Sequence, residues 1–134
     1  MTFSDIYAVY KDRRAAGAAE FAMTLPIFLL AAMVATELGG QFMSNAGVAH
    51  AVNEAARSAT LFPIPSDDII KKTVADSVFG VDARSVAASV EHGVNSQGAE
   101  YITISATARR NSLTAAFGGA GVVRETRVVW IGTD

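Results

Sequence analysis

Between Glu20 and Glu37 the chain runs from Phe21 to Thr36, 16 residues, without a charged side chain. A helix needs ~20 predominantly apolar residues to cross the hydrocarbon core. The small residues Ala15 to Ala19 lengthen the stretch on one side, and Leu38 to Gly40 lengthen it on the other. Glu20 and Glu37 would stand about 25 Å apart on a helix, a workable single span with the two carboxylates at opposite interfaces. Past Gln41 the pattern changes. Phe42, Ala46, Ala49, Val52, Ala56 and Ala59 recur at the 3.6 period, with Asn45, His50, Asn53, Glu54 and Arg57 elsewhere around the helix. The alanines favour helix. One helix from about residue 18 to residue 61 is therefore predicted, half in lipid and half against a head domain, until Pro63 and Pro65 of "FPIPS" stop it.

Ser66-Asp67-Asp68 then supplies a capping residue and an acidic first turn for a second helix. Ile70, Val74 and Val78 form its buried stripe, and Gly80 is expected to end it. Three strand patterns follow. Val86, Ala88 and Val90 alternate over residues 86–91. Ile102, Ile104, Ala106 and Ala108 alternate with Tyr101, Thr103, Ser105 and Thr107. A third strand covers residues 122–131, with Arg124, Glu125 and Arg127 solvated. "VNSQGAE" between the first two reads as the turn of an antiparallel hairpin. The fold class is α+β: a long N-terminal helix, transmembrane in one half and amphipathic in the other, packed on a small head with one helix and a three-stranded antiparallel sheet. The expected layout is a basic cytoplasmic leader over 1–15, a transmembrane helix over 16–40, its amphipathic continuation over 41–62, and an extracytoplasmic head over 63–134. A head this small cannot bury much core alone, so docking onto the helix of residues 41–60 is expected.

Composition narrows the function. The 134 residues are 51% hydrophobic with a net charge of −2, so no global basic face invites nucleic acid. The absence of cysteine excludes a disulfide scaffold, a thiol nucleophile and a thiolate zinc site. His50 and His92, the two histidines, have no HExxH spacing. His50 reads as a solvated or packed helix residue. "AAFGGAGVV" lacks the Lys-Ser/Thr of a phosphate loop and reads as a connection between strands. Trp130 and Phe117 fit either a core or an exposed patch for a neighbouring subunit. No nucleophile, base and orienter can be assembled; no enzyme activity, cofactor, metal site or small-molecule substrate is expected.

Lys11, Arg13 and Arg14 flank the apolar stretch on its N-terminal side, which orients the N-terminus toward the cytoplasm. Pro26 inside the helix removes one hydrogen bond and is expected to kink it near its first turns. Ala18 and Ala22, Ala31 and Ala35, and Ala32 and Thr36 are spaced four apart, a weak signal of close helix packing. No good signal-peptidase site follows the apolar run: Ala35 would place Met33 two residues before it, and Ala32 would place Leu30 there.

The stretch "RRAAGAAEF" resembles the processing site of type IV prepilins, above all the TadE-like minor pilins and pseudopilins of tight-adherence (Flp/Tad) pili. "EFAMTLPIFLLAAMVATELGGQF" is similar to that group's Glu-Phe-Ala, Leu-Pro and Glu-Leu-Gly pattern, and "VNEAARSAT" to the Ala-rich helix after it. The resemblance covers residues 13 to about 60. It implies a basic leader closed by Arg13 and Arg14, cleavage by prepilin peptidase between Ala15 and Ala16, and Glu20 as the fifth mature residue, followed by Phe21. Ala15 stands where the family most often has glycine, and cutting after Gly17 instead would make Glu20 the third mature residue. It further implies that Glu20 pairs with the terminal amine of a subunit being added, in pilus assembly or its priming. The implied partners are the inner membrane, prepilin peptidase, other pilin-like subunits and the assembly platform, with the head in the periplasm or in the pilus. The alternative is an unprocessed single-pass inner-membrane protein whose outer domain binds another envelope component.

Overall fold

The computed structural model describes residues 13–110, 112 and 121–131. Helix α1 runs over Arg13–Ala59. The chain divides into two compact units, one ending at Thr36 and the other beginning at Glu37. In the first unit the described side chains of α1 are exposed, Met33 alone being half-buried. Phe21, Met23, Ile27, Phe28 and Leu30 all stand open. A helix that is apolar all round and has no protein cover is suited to lipid, not to water, and α1 is long and apolar enough to cross a membrane. Pro26 lies inside it without interrupting the helix.

The second unit contains the rest of α1, helix α2 (Asp67–Ser77), a 3-10 turn (Ala83–Ser85) and strands β1 (Ala87–Val94), β2 (Glu100–Arg109) and β3 (Val122–Trp130). The strands form one antiparallel sheet in the order β1-β2-β3. Val90 pairs with Ile104, and Ile102 pairs with Val129. The hairpin turn is closed by Asn95, whose Oδ1 accepts from the backbone N–H groups of Gln97 and Ala99 at 2.9 and 2.8 Å. Gly98 supplies the positive φ, +83°, that the turn requires.

The expected alternation holds on the central strand. Ile102, Ile104, Ala106 and Ala108 are buried, and Tyr101, Thr103, Ser105 and Thr107 lie on the half-open face. On β3 the register sets Glu125 opposite Ala106 and Arg127 opposite Ile104, so both charges share the core-side face of an edge strand. Arg124 and Arg127 are solvated as expected, whereas Glu125 is half-buried. Inward charges on an edge strand discourage pairing with other chains.

The helix face that packs on this sheet differs from the expected one. Of Phe42, Ala46, Ala49, Val52, Ala56 and Ala59, only Val52 and Ala59 are fully buried, and Phe42 is 74% exposed. The buried face is Ser44, Gly47, Val48, Ala51, Val52, Ala55 and Ala59, which keeps the same period turned around the axis. It meets Ile70 and Val74 of α2 and the buried side of β2 in one core.

Side-chain size explains the choice. The segment after α2 passes so close to α1 that a Cβ added at Gly47 would collide with the carbonyl of Phe79. Gly80, at φ +72°, lies against the backbone of Met43. Ser44 Oγ donates to Gly80 O at 2.5 Å and lies within reach of Gly40 O at 2.9 Å. A large residue such as Phe42 has no room at this crossing. The same crossing ends α2 earlier than expected: the helix stops at Ser77, and Val78 is already extended as the chain turns toward α1. Ser66 occupies the N-cap position of α2, but its side chain makes no capping hydrogen bond.

His50 packs its ring on Phe79 at 5.8 Å, in agreement with a structural role. Arg57 donates to Glu54 and holds that carboxyl below its usual range, but an exposed pair of this kind contributes little. Trp130, 58% exposed, stands edge-on to Tyr101 at 5.4 Å and is a surface residue. Phe117 and the greater part of "AAFGGAGVV" fall outside the described residues.

Gly47→Ala should lower stability by roughly 1–3 kcal/mol through overpacking. Gly39→Ala has open space around the new methyl and should be neutral or stabilising by up to about 1 kcal/mol. Chemical unfolding of the detergent-solubilised chain, followed by Trp130 fluorescence, checks both.

Candidate functional site

Every residue singled out around the basic leader and the apolar stretch lies on α1. Arg13, Arg14, Ala15 and Ala16 are all within the helical residues of α1. Residues 1–12, the body of the expected leader, fall outside the described residues. A Cβ at Gly17 would meet only open space. Glu20 and Phe21 are both exposed.

The polar groups of the apolar stretch are satisfied within the helix. Thr24 Oγ1 donates to Glu20 O at 2.8 Å, and Thr36 Oγ1 donates to Ala32 O at 2.9 Å. These hydroxyls can therefore enter lipid without an orphaned donor. The carboxylate of Glu20 has no such provision: among the described residues it makes no hydrogen bond and no ion pair. Ala18, Ala22, Ala31, Ala35, Ala32 and Thr36, the small-residue pairs, are all exposed.

The glutamate at the other end has a different environment. Glu37 Oε1 lies 3.3 Å from Arg110 Nη2, with side-chain exposures of 18% and 14% respectively. Ser112 Oγ donates to the same oxygen. Arg110 is placed by backbone contacts on both sides: its N–H donates to Gly121 O at 2.9 Å, and it bridges to Val81. Gly121 matters because a Cβ there would press on the guanidinium, with Cζ only 3.2 Å away. Sequence reasoning placed Glu37 at an interface but did not find this partner. Arg110 is distant in the chain, beyond the reach of any local pattern; an acidic residue ending an apolar span with no basic residue within one turn was the available signal.

Among the described residues no group of three or more His, Asp or Glu side chains is arranged to hold a metal ion. His92 and Asp67 meet at 2.9 Å and tie β1 to the start of α2. Both are largely exposed, and the contact is structural.

Residues 15–57 match the family model of TadE-like proteins, the group the sequence resembles. The match begins at the expected scissile residue and ends within α1, so it covers the helix and leaves the sheet outside it. No curated protein and no solved structure matches the chain significantly.

A double-mutant cycle tests the Glu37–Arg110 pair. Glu37→Gln and Arg110→Gln should each destabilise the head, and their combination should cost less than the sum by about 0.5–3 kcal/mol. Unfolding midpoints of the four proteins supply the cycle; strict additivity would show that the two groups do not interact.

Proposed function

We propose that the chain is a TadE-like minor pilin or pseudopilin, processed by prepilin peptidase and used in the assembly or priming of a tight-adherence type IV pilus. In this reading residues 1–15 are the cytoplasmic leader, 16–40 anchor the protein in the inner membrane, 41–62 continue the helix, and 63–134 form the periplasmic head. Its role is structural and non-enzymatic, and its partners are the peptidase, other pilin-like subunits and the assembly platform.

The observation that carries this reading is the contrast between the two glutamates that bound the apolar stretch of α1. Glu37 is held by Arg110 and Ser112 of its own chain. Glu20 stands exposed on an apolar helix with no side-chain partner among the described residues. A carboxylate bordering hydrocarbon is costly and calls for a cationic partner, and here that partner must come from elsewhere. Cleavage between Ala15 and Ala16 would create such a group, an α-amino group with an ordinary pKa of about 7.7–8.0, on each subunit. Glu20 of a subunit already in place then attracts the Ala16 amine of the next, drawing the two helices into register. The family match over 15–57 spans both the cleavage position and Glu20.

Glu20→Ala should leave leader removal intact and abolish incorporation into filaments, read by immunoblot of sheared fibres. Normal incorporation of that variant would overturn the pairing role. Ala15→Trp should block the mass shift of processing; unchanged processing would move the cut elsewhere.

A further inference from the structure

Charge is distributed unevenly along the head. At the end holding Glu37 lie Arg84, Arg109 and Arg124, all exposed and with no ion pair among the described residues. The fold brings them together from three segments. Asp82 N donates to Arg109 O at 3.0 Å, Arg109 N donates to Ser85 Oγ at 2.7 Å, and Arg124 pairs with Thr107, two residues before Arg109 on the same face. Asp82 lies among them, with its carboxylate accepting from the backbone N–H of Arg84 at 3.1 Å. At the opposite end of the head stand Asp67, Asp68, Glu91 and Glu100, with His92 against Asp67.

The basic end is the one joined to the apolar stretch, at Glu37. Headgroups add roughly 5–7 Å to each side of the hydrocarbon core, which is four or so residues of helix. Residues 37–40 of α1 therefore cross that layer; Leu38 is exposed within it, and Phe42 and Met43 are exposed as large apolar side chains within the next turn. Gly80 rests on Met43, and Arg110 contacts Glu37, so the loop of Arg84 and the end of β2 lie at the same level. That is within the ~10 Å over which charges act through salt solution. The chain from Glu37 to Ala56 contains no Lys or Arg, so the arginines reach this level only by folding.

We propose that the arginine-bearing base of the head, formed by Arg84, Arg109 and Arg124 beside Leu38, Phe42 and Met43, seats on the anionic phospholipid headgroups of the bilayer that α1 enters. The seat rests on the reading of α1 as a membrane span. Each arginine near an anionic surface is attracted, while the acidic end is repelled, so the two ends act together to hold the head base-down.

The test uses the full chain in nanodiscs of phosphatidylcholine alone or mixed with phosphatidylglycerol, with backbone hydrogen exchange as readout. Amides of residues 80–85 and those beside Arg109 and Arg124 should exchange more slowly in the anionic discs. The slowing should vanish in high salt and in the R84Q/R109Q/R124Q variant, and persist when the three positions are lysine. Ile102 to Ala106 report folding and should not change. Protection of residues 21–36 in every disc separately tests the span. Identical exchange at the base in both lipids would overturn the proposal. Slowing that follows the number of protein copies per disc, irrespective of lipid charge, would overturn it in favour of contact with the acidic end of a second copy.

Discussion

Two backbones must come into contact where the chain leaving α2 crosses α1. Gly47 against the carbonyl of Phe79, Gly80 against Met43, and the hydroxyl of Ser44 on Gly80 O define that crossing. Only small residues permit it, and this requirement selects the face of α1 that the head covers. Once Ser44 and Gly47 face the crossing, the period of the helix brings Val48, Ala51, Val52, Ala55 and Ala59 onto Ile70, Val74 and the central strand. The segment that follows the crossing runs along the end of the sheet, where Val81 bridges to Arg110. The position of Arg110, and hence its hold on Glu37, depends on the same contact.

The contrast between the two glutamates follows from this arrangement. Glu37 begins the unit whose core is built on α1, close enough to the end of β2 for an arginine to reach it. Glu20 lies in a stretch whose side chains, among the described residues, are almost all exposed. The two glutamates that bound the apolar stretch of one helix thus differ: Glu37 is tied into the head, and Glu20 makes no side-chain hydrogen bond or ion pair among the described residues.

Much of this was legible from residue patterns. The α+β layout, the apolar stretch, the Asn95–Gly98 turn and the alternation of β2 follow from local rules with short range: charge exclusion, φ preference and period two. The match of residues 15–57 to TadE-like proteins agrees with the resemblance carried by "RRAAGAAEF" and the Glu-Leu-Gly at residues 37–39. The orientation of α1 on the head was not legible, because Phe42 and Ala46 satisfy the same period as Ser44 and Gly47. Period alone does not distinguish a stripe chosen for hydrophobicity from one chosen for small size; the partner backbone decides, and it is more than thirty residues away. The Glu37–Arg110 pair escaped for a related reason, since its distance in sequence leaves no repeat or motif to find. Ser66 shows the opposite error, a capping residue at the right position whose side chain does not cap.

The central claim, that Glu20 awaits an amine made by processing, is tested most directly at the N-terminus itself. Intact mass and N-terminal sequence of the membrane-extracted protein, from cells with and without prepilin peptidase, would read it in one measurement. A mature chain starting at Ala16 only where the peptidase is present is the result predicted. A chain beginning at Met1 in both would contradict it and leave Glu20 without the partner the account assigns to it.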